Sequence, residues 1–216
     1  TLNVSGDRTL NLEPGARLIM DGGAALFVGR ADGSARGNLR ALGTAADPIR
    51  IVARDTTGRG FWHQLAIENQ HDSSVLRHVE LVAGGGTGAQ RQLYLGDINV
   101  QVIRLDTVTV RKSAKHGAWF GGSPFRISGL TAKDNDSSGV VLTGPGVTIT
   151  NSRFENNGQA GIRADAGPQT ISNSILVNNA GWGLRNTTMT TINAMMNWWG
   201  AACGPVHPSN IGCTGT

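Results

Sequence analysis

Along most of the chain apolar residues return at every second position, as in Leu10-x-Leu12, Leu18-x-Met20, Ile49-x-Ile51, Val140-x-Leu142 and Val147-x-Ile149. A two-residue period sends alternate side chains to opposite faces of an extended strand, so each segment is predicted to be a short strand with one buried side. The three- and four-residue apolar spacing of a helix is missing from these segments. Gly, Asn and Asp separate them, residues that favour turns and weaken helix interiors.

The strands recur with a fixed period. Gly117, Gly139, Gly161 and Gly183 are each 22 residues apart, and each is followed by an apolar residue: Ala118, Val140, Ile162, Leu184. Ile127, Ile149 and Ile171 keep the same period, as do Ala132, Phe154 and Leu176. Asp134, Asn156 and Asn178 form a further column, and Asn135, Asn157 and Asn179 form the one beside it. Several columns in one register describe the coils of a parallel β-solenoid, in which equivalent side chains stack at the strand spacing of about 4.8 Å. The Asn columns are expected to form a structural ladder, because amides stacked at a turn can hydrogen-bond to one another.

The repeat runs backward with insertions. Leu105, Val108 and Val110 precede Ile127, Leu130 and Ala132 by 22, whereas Leu76, Val79 and Leu81 lie 29 before Leu105, Val108 and Val110. The excess of seven is read as a loop near 83–92, rich in glycine and expected to leave the solenoid. At about 22 residues per coil the chain holds roughly eight or nine coils, a rod on the order of 40 Å long. Residues 1–200 are expected to form one β-helix domain, and 201–216 a tail or the start of a further segment. Cys203 and Cys213, ten apart with no His/Cys cluster near them, read as a disulfide closing that tail.

Composition narrows the function classes. With 31 glycines, 16% charged and 5% aromatic residues, the chain is poor in helix formers, and no apolar run is long enough to span a membrane as a helix. The net charge of +4 comes from 19 basic and 15 acidic residues that alternate along the sequence. A nucleic-acid binder clusters its basic groups, so no nucleic-acid partner is expected. A disulfide points to an oxidising compartment, hence an extracellular or cell-surface location.

Leu12-Glu13-Pro14-Gly15-Ala16, Gly43-Thr44-Ala45-Ala46-Asp47-Pro48-Ile49, the Asn-Ser-x-Phe-x-Asn-Asn unit at 151–157, and Asn197-Trp198-Trp199-Gly200 with Gly204-Pro205 carry a resemblance to a known family. The chain resembles the right-handed parallel β-helix repeat proteins of bacterial surfaces and secretions, within the pectin-lyase-like superfamily. The resemblance covers nearly the whole chain and implies an all-β, right-handed parallel β-helix. It implies no single activity, since that group includes lyases, hydrolases, epimerases, adhesins and stalks.

Candidate chemistry is sparse. The closely spaced Asp pairs and Gly-His-Gly of the family's polygalacturonases are missing, as is the Arg-x-Pro-x-x-Arg of its pectate lyases. Asp134 and Asp136 beside Lys133 are the nearest carboxylates, but Asp134 occupies the turn position of Asn156 and Asn178. Five scattered histidines form no ligand pair, so neither metal nor cofactor is expected. Trp198 and Trp199 read as a cap over the last coil. The remaining candidate is a column: if Ala118 and Phe120 point inward, Trp119 points outward, with Tyr94 one coil before it and Val141, Arg163 and Arg185 on the coils after it. Aromatic rings stack on sugars and Arg pairs with carboxylate or sulfate, so Tyr94, Trp119, Arg163 and Arg185 are glycan-binding candidates. An ordinary exposed strand surface has the same appearance.

The reading is therefore a non-enzymatic extracellular β-solenoid, a structural or adhesive surface module without catalytic residues. Its first coil has no evident cap and its last only the Trp pair and the short Cys203–Cys213 tail, so the ends are expected to stack head to tail on further copies or to adjoin other domains. The alternative is a polysaccharide lyase or glycoside hydrolase acting on acidic polysaccharide along the same face.

Overall fold

The structure, a computed structural model, describes residues 1–30, 32–70, 73–86, 88–96, 103–122, 125–207 and 209–215. Nineteen strands and no helix are present among them, and every strand pairs with its neighbours in parallel. Eight strands, Leu2–Val4, Leu26–Val28, Leu65–Ile67, Arg91–Leu95, His116–Phe120, Val140–Leu142, Ala160–Ala164 and Trp182–Asn186, stack in chain order into the first sheet. Eight stacked strands bound about seven full turns of a right-handed solenoid. That hand is the one a twisted strand imposes on a parallel crossover.

The second sheet holds the other eleven strands and bends along its length. Its three eight-residue strands, Val75–Val82, Arg104–Arg111 and Arg126–Lys133, each turn at a residue with positive φ: His78 at 48°, Thr107 at 56° and Gly129 at 71°. In the next two coils Asn151 and Asn173, at 51° and 50°, break the strand there. A second corner uses the same device one strand later, through Ala83, Lys112, Asp134, Asn156 and Asn178, all with φ between 55° and 62°. Asn and Asp tolerate this left-handed conformation better than other side chains, which explains their recurrence. The cross-section is thus three-sided, and one apolar cluster fills it from Val4 to Trp199.

The Asn pair of each repeat divides its work. Asn156 and Asn178 are exposed and supply the corner, whereas Asn135, Asn157 and Asn179 are buried and form the ladder. Asn135 Nδ2 donates to Asn157 Oδ1 at 2.9 Å, and Asn157 Nδ2 donates to Asn179 Oδ1 at 2.9 Å. Amides of the ladder also donate to main-chain carbonyls, Asn157 to Ala132 and Asn179 to Phe154, both at 3.0 Å. The repeated glycines are part of the same device. A Cβ on Gly117 would sit 2.7 Å from Asn135 Nδ2, and one on Gly139 or Gly161 would sit 2.9 Å from the next amide of the ladder. The carbonyl oxygen of the next coil's glycine would lie closer still, at 2.6 to 2.7 Å, so glycine stands at these positions to leave room for that carbonyl and the buried amides; its backbone there has no positive φ.

The coil length is 22 in the last three steps, Ala118 to Val140 to Ile162 to Leu184, and longer before them. The seven-residue excess is split: Leu81 to Leu93 spans 12 residues against 8 for Val110 to Ala118, and Leu95 to Leu105 spans 10 against 7 for Phe120 to Ile127. Residues 83–86 of the glycine-rich segment do not leave the rod. Ala83, Gly84 and Gly85 are buried, and the Gly85 and Gly86 amides donate to His63 and Trp62 carbonyls at 2.8 and 3.1 Å. The longest step, Leu26 to Leu65, carries a loop that folds back along the second corner, where Arg59 donates to the Asp134 carbonyl and pairs with Asp136 at 3.1 Å. Asp134 and Asp136 therefore serve a corner and a strap.

At the far end Cys203 and Cys213 form a disulfide, and the loop it closes is pinned by Asn210 Nδ2, which donates to the carbonyls of Cys203 and Pro205 at 2.8 and 2.9 Å. Trp199 is buried against the core, whereas Trp198 is half exposed.

Candidate functional site

The outward positions of the first sheet form three columns. Ala118 and Phe120 are fully buried, so the residues between and beside them face away from the core. The strand register places Phe27, Ala66, Tyr94, Trp119, Val141, Arg163 and Arg185 in the central column, one per coil. Arg91 lies opposite His116 on the adjacent strand, in the column before it. The column after holds Thr143, Asp165 and Thr187.

Near Trp119 these side chains form one interlocked patch. The Arg91 guanidinium carbon lies 4.0 Å from the centre of the Tyr94 ring and 5.4 Å from that of Trp119. Arg163 approaches Trp119 from the other side, at 6.0 Å, although two coil steps separate them. The two lean toward each other across Val141, and this explains why Val141 is fully buried while its position faces outward. Trp119 Nε1 donates to Thr143 Oγ1 at 2.9 Å, fixing the indole. His116 meets the same ring edge-on, with centroids 5.8 Å apart.

The charges here are held in place by different means. Arg163 grips Asp165 with Nε and Nη2, the closest approach being 2.6 Å, and Thr187 Oγ1 donates to the same carboxylate at 2.9 Å. Arg91 has no carboxylate partner among the described residues, and its Nε is buried without a hydrogen bond. Burial lowers its pKa, opposed by Tyr94 and Glu68. His63, next to it, also has an unpaired buried Nδ1, and burial followed by the Arg91 charge lowers its pKa. Burial, and then the Arg163 cation, push His116 down to about 4. Its Nδ1 accepts the Ser138 N–H at 3.1 Å, a bond only the neutral ring can accept.

The structure thus brings Tyr94, Trp119 and Arg163 together. Arg185 lies one coil beyond, exposed and stacked 4.6 Å from the Trp182 ring. Arg91, His116 and His63 are additions that the central column alone does not reveal. Pairing Leu93-x-Leu95 with Ala118-x-Phe120 already sets Arg91 opposite His116, so the signal is present in the register of the two strands.

The arrangement offers two aromatic rings and a partly desolvated guanidinium, with the Thr143 and Thr187 hydroxyls beside them. These are the contacts that a sugar ring bearing a carboxylate or sulfate uses. Among the described residues no group of three or more His, Cys, Asp or Glu could hold a metal ion, and no helix is long and apolar enough to cross a membrane.

Residues 85–197 match the family described as the right-handed β-helix region. Among solved structures the chain is similar to the A-module of the Azotobacter vinelandii mannuronan C-5 epimerase AlgE4, with 14% identity over 73% of this chain and 70% of that one, at a TM-score of 0.28. No curated protein matches the sequence.

Proposed function

Because the chain belongs to the right-handed β-helix family, whose fold by itself selects no chemistry, we propose its function from the one stretch of outer surface where side chains are organised around one another. The first-sheet face binds an acidic polysaccharide. The protein acts as an extracellular structural or adhesive module that holds the glycan without cleaving it. The observation that carries this reading is the Arg91 guanidinium stacked on Tyr94 and close to Trp119, with no carboxylate partner among the described residues. A cation held against rings and already partly desolvated has less hydration to lose on meeting an anionic sugar than one extended into water. Arg185 extends the same column by one coil. The disulfide supports the extracellular placement.

Assembly by stacking is the second part of the proposal. Both ends of the rod present apolar side chains: Leu2 and Ile19 on the first coil, and Met195, Met196 and Trp198 on the last. Such surfaces suit a head-to-tail contact with another copy or an adjoining domain. A rod lengthening with concentration in light scattering supports stacking; a monomer at every concentration refutes it.

A lyase or hydrolase is the second reading, favoured by the meeting of a phenol, an imidazole and a guanidinium at Tyr94, His116 and Arg91. Incubation with polygalacturonate, alginate and sulfated glycans separates the two. Saturable binding without new unsaturated-uronate absorbance or reducing ends supports a binding module. Turnover that Arg163→Ala abolishes would overturn it.

A further inference from the structure

The charge that alternates along the sequence does not alternate over the surface. The strands of the second sheet contain ten basic residues, Arg8, Arg17, Arg40, Arg50, Arg77, Arg104, Arg111, Arg126, Lys133 and Arg153, and three acidic ones, Glu80, Asp106 and Glu155. The rest of the chain is left with nine basic and twelve acidic residues, since the totals are 19 and 15. The second sheet therefore carries +7 and everything else −3, which together give the net +4. Winding collects cations from distant parts of the sequence onto the two legs of this sheet.

On the leg of this sheet that precedes the His78, Thr107 and Gly129 corner, the collection is sharpest. Arg40, Val75, Arg104 and Arg126 follow one another across four neighbouring strands, and Arg77 lies two residues along from Val75, on the same side of its strand. All four arginines are exposed, and none is within 4.0 Å of a carboxylate among the described residues. Asp106 is the one acidic group of this leg, beside Arg77, and its Oδ1 accepts the Thr107 hydroxyl at 3.0 Å. The other leg differs. There Glu80 bridges Arg50 and Arg111 at 3.4 and 2.7 Å, and Glu155 holds Arg153 at 2.6 Å.

We propose that the outer face of the second sheet, along Arg40, Arg77, Arg104 and Arg126, is a second binding surface, for a linear acidic polysaccharide lying parallel to the rod axis. The coil rise of about 4.8 Å sets one cation per step, comparable to the advance of one sugar in an extended acidic chain. Four like charges left unneutralised on neighbouring strands repel one another, and a row of carboxylates or sulfates removes that repulsion. The face suits a glycan better than a nucleic acid. Among the described residues no Phe, Tyr or Trp stands on its outward side to stack bases, and a flat sheet face has no helix or ribbon to enter a groove. Arg104 and Arg126 themselves line a shallow groove of about 460 Å³ together with Ile103, Ser128, Thr148 and Thr150; its accessible wall is mainly apolar, a surface for the apolar face of a sugar ring beside the two guanidinium groups. Together with the face around Trp119, this would let one rod join two polysaccharide chains.

The test uses the intact protein on surfaces coated with polygalacturonate or heparin, with affinity measured against salt. The variants are the quadruple Arg40→Gln, Arg77→Gln, Arg104→Gln, Arg126→Gln and, separately, Trp119→Leu. All four arginines are exposed and repel one another, so the melting temperature of the quadruple variant should be no lower than that of the parent. The proposal predicts that the parent's affinity falls steeply with salt. It also predicts that the quadruple variant binds at least tenfold more weakly, with a log–log salt slope shallower by about one per arginine removed. Trp119→Leu should leave that slope unchanged, so failure of the first-sheet reading and failure of this one are separately visible. An unchanged slope in the quadruple variant would overturn the proposal. Tighter binding to single-stranded DNA or to anionic lipid vesicles at equal salt would also overturn it, reassigning the face to those partners.

Discussion

The outer faces of the two sheets are built on one backbone register and present opposite solutions to holding charge. Around Trp119 each arginine is engaged: Arg163 is locked to Asp165, and Arg91 lies over two rings. Along Arg40, Arg77, Arg104 and Arg126 the guanidinium groups extend into solvent without carboxylate partners among the described residues. The difference follows from neighbours. The first sheet sets aromatic residues or Asp165 within reach of its cations, whereas the corresponding leg of the second sheet offers Ser128, Thr148, Thr150 and Val75, and a single carboxylate, Asp106, which accepts the Thr107 hydroxyl. A solenoid thereby generates a short-range, stacking surface and a long-range, salt-sensitive one from the same coil, because each column is free to vary so long as the core columns are kept.

The comparison is broken most completely by removing the register that both faces share. Asn157→Ala should cost about 3 kcal/mol, since it takes the Oδ1 acceptor from the buried Asn135 main-chain and side-chain N–H groups and the Nδ2 donor from the Ala132 carbonyl and Asn179 Oδ1. Thermal melts should show the loss, and binding at both faces should fall together. An equal melting temperature would mean that the ladder is not what holds the coils in step. A pH titration acts on one face alone. With a folded-state pKa of about 4 against an ordinary value near 6.5, His116 contributes stability that is full above about pH 6.5 and declines as pH falls toward 4, by on the order of 3 kcal/mol. Chemical denaturation at pH 7 and pH 4.5 measures this, and His116→Gln should flatten the difference.

Smaller effects separate the faces further. Trp119→Leu keeps an apolar cover over Val141 but removes the ring, and should weaken binding of a short uronate oligosaccharide about tenfold. Arg163→Gln should weaken it roughly threefold, because that guanidinium is already engaged by Asp165 and is partly screened by solvent. Calorimetric titration of both variants ranks the two contributions; a larger effect from Arg163 would move the weight of recognition from stacking to charge.

Much of this molecule is legible in its sequence, for a physical reason. Parallel stacking copies each position one coil onward, so Ile127, Ile149 and Ile171 stand in the sequence as a period that directly mirrors their stacking in space. The outward column of Tyr94, Trp119, Val141, Arg163 and Arg185 follows from alternation alone. What alternation cannot show is how side chains lean. Val141 is buried because Trp119 and Arg163 close over it, and Arg91 reaches the site from a neighbouring column. The glycine columns suggest turns, whereas they serve a steric purpose that depends on the Asn side chain and the main-chain carbonyl stacked against them on the next coil. The basic second-sheet face is hidden in the sequence because its arginines are 22 to 37 residues apart along the chain, interleaved with acids such as Asp47, Asp55 and Glu80 that lie off this leg. The glycine-rich stretch after Val82 reads as a projecting loop, yet its lack of side chains lets it pack against Trp62 and Gly60.

The central claim is that the Arg91, Tyr94 and Trp119 cluster holds an acidic sugar without transforming it. Calorimetric titration of the parent and Trp119→Leu with a defined uronate oligosaccharide, at about 0.15 M salt where exposed charges are screened, tests it directly. The account predicts saturable binding by the parent, about tenfold weaker binding by the variant, and an oligosaccharide recovered unchanged. Equal affinities for the two proteins, or a cleaved oligosaccharide, would contradict it.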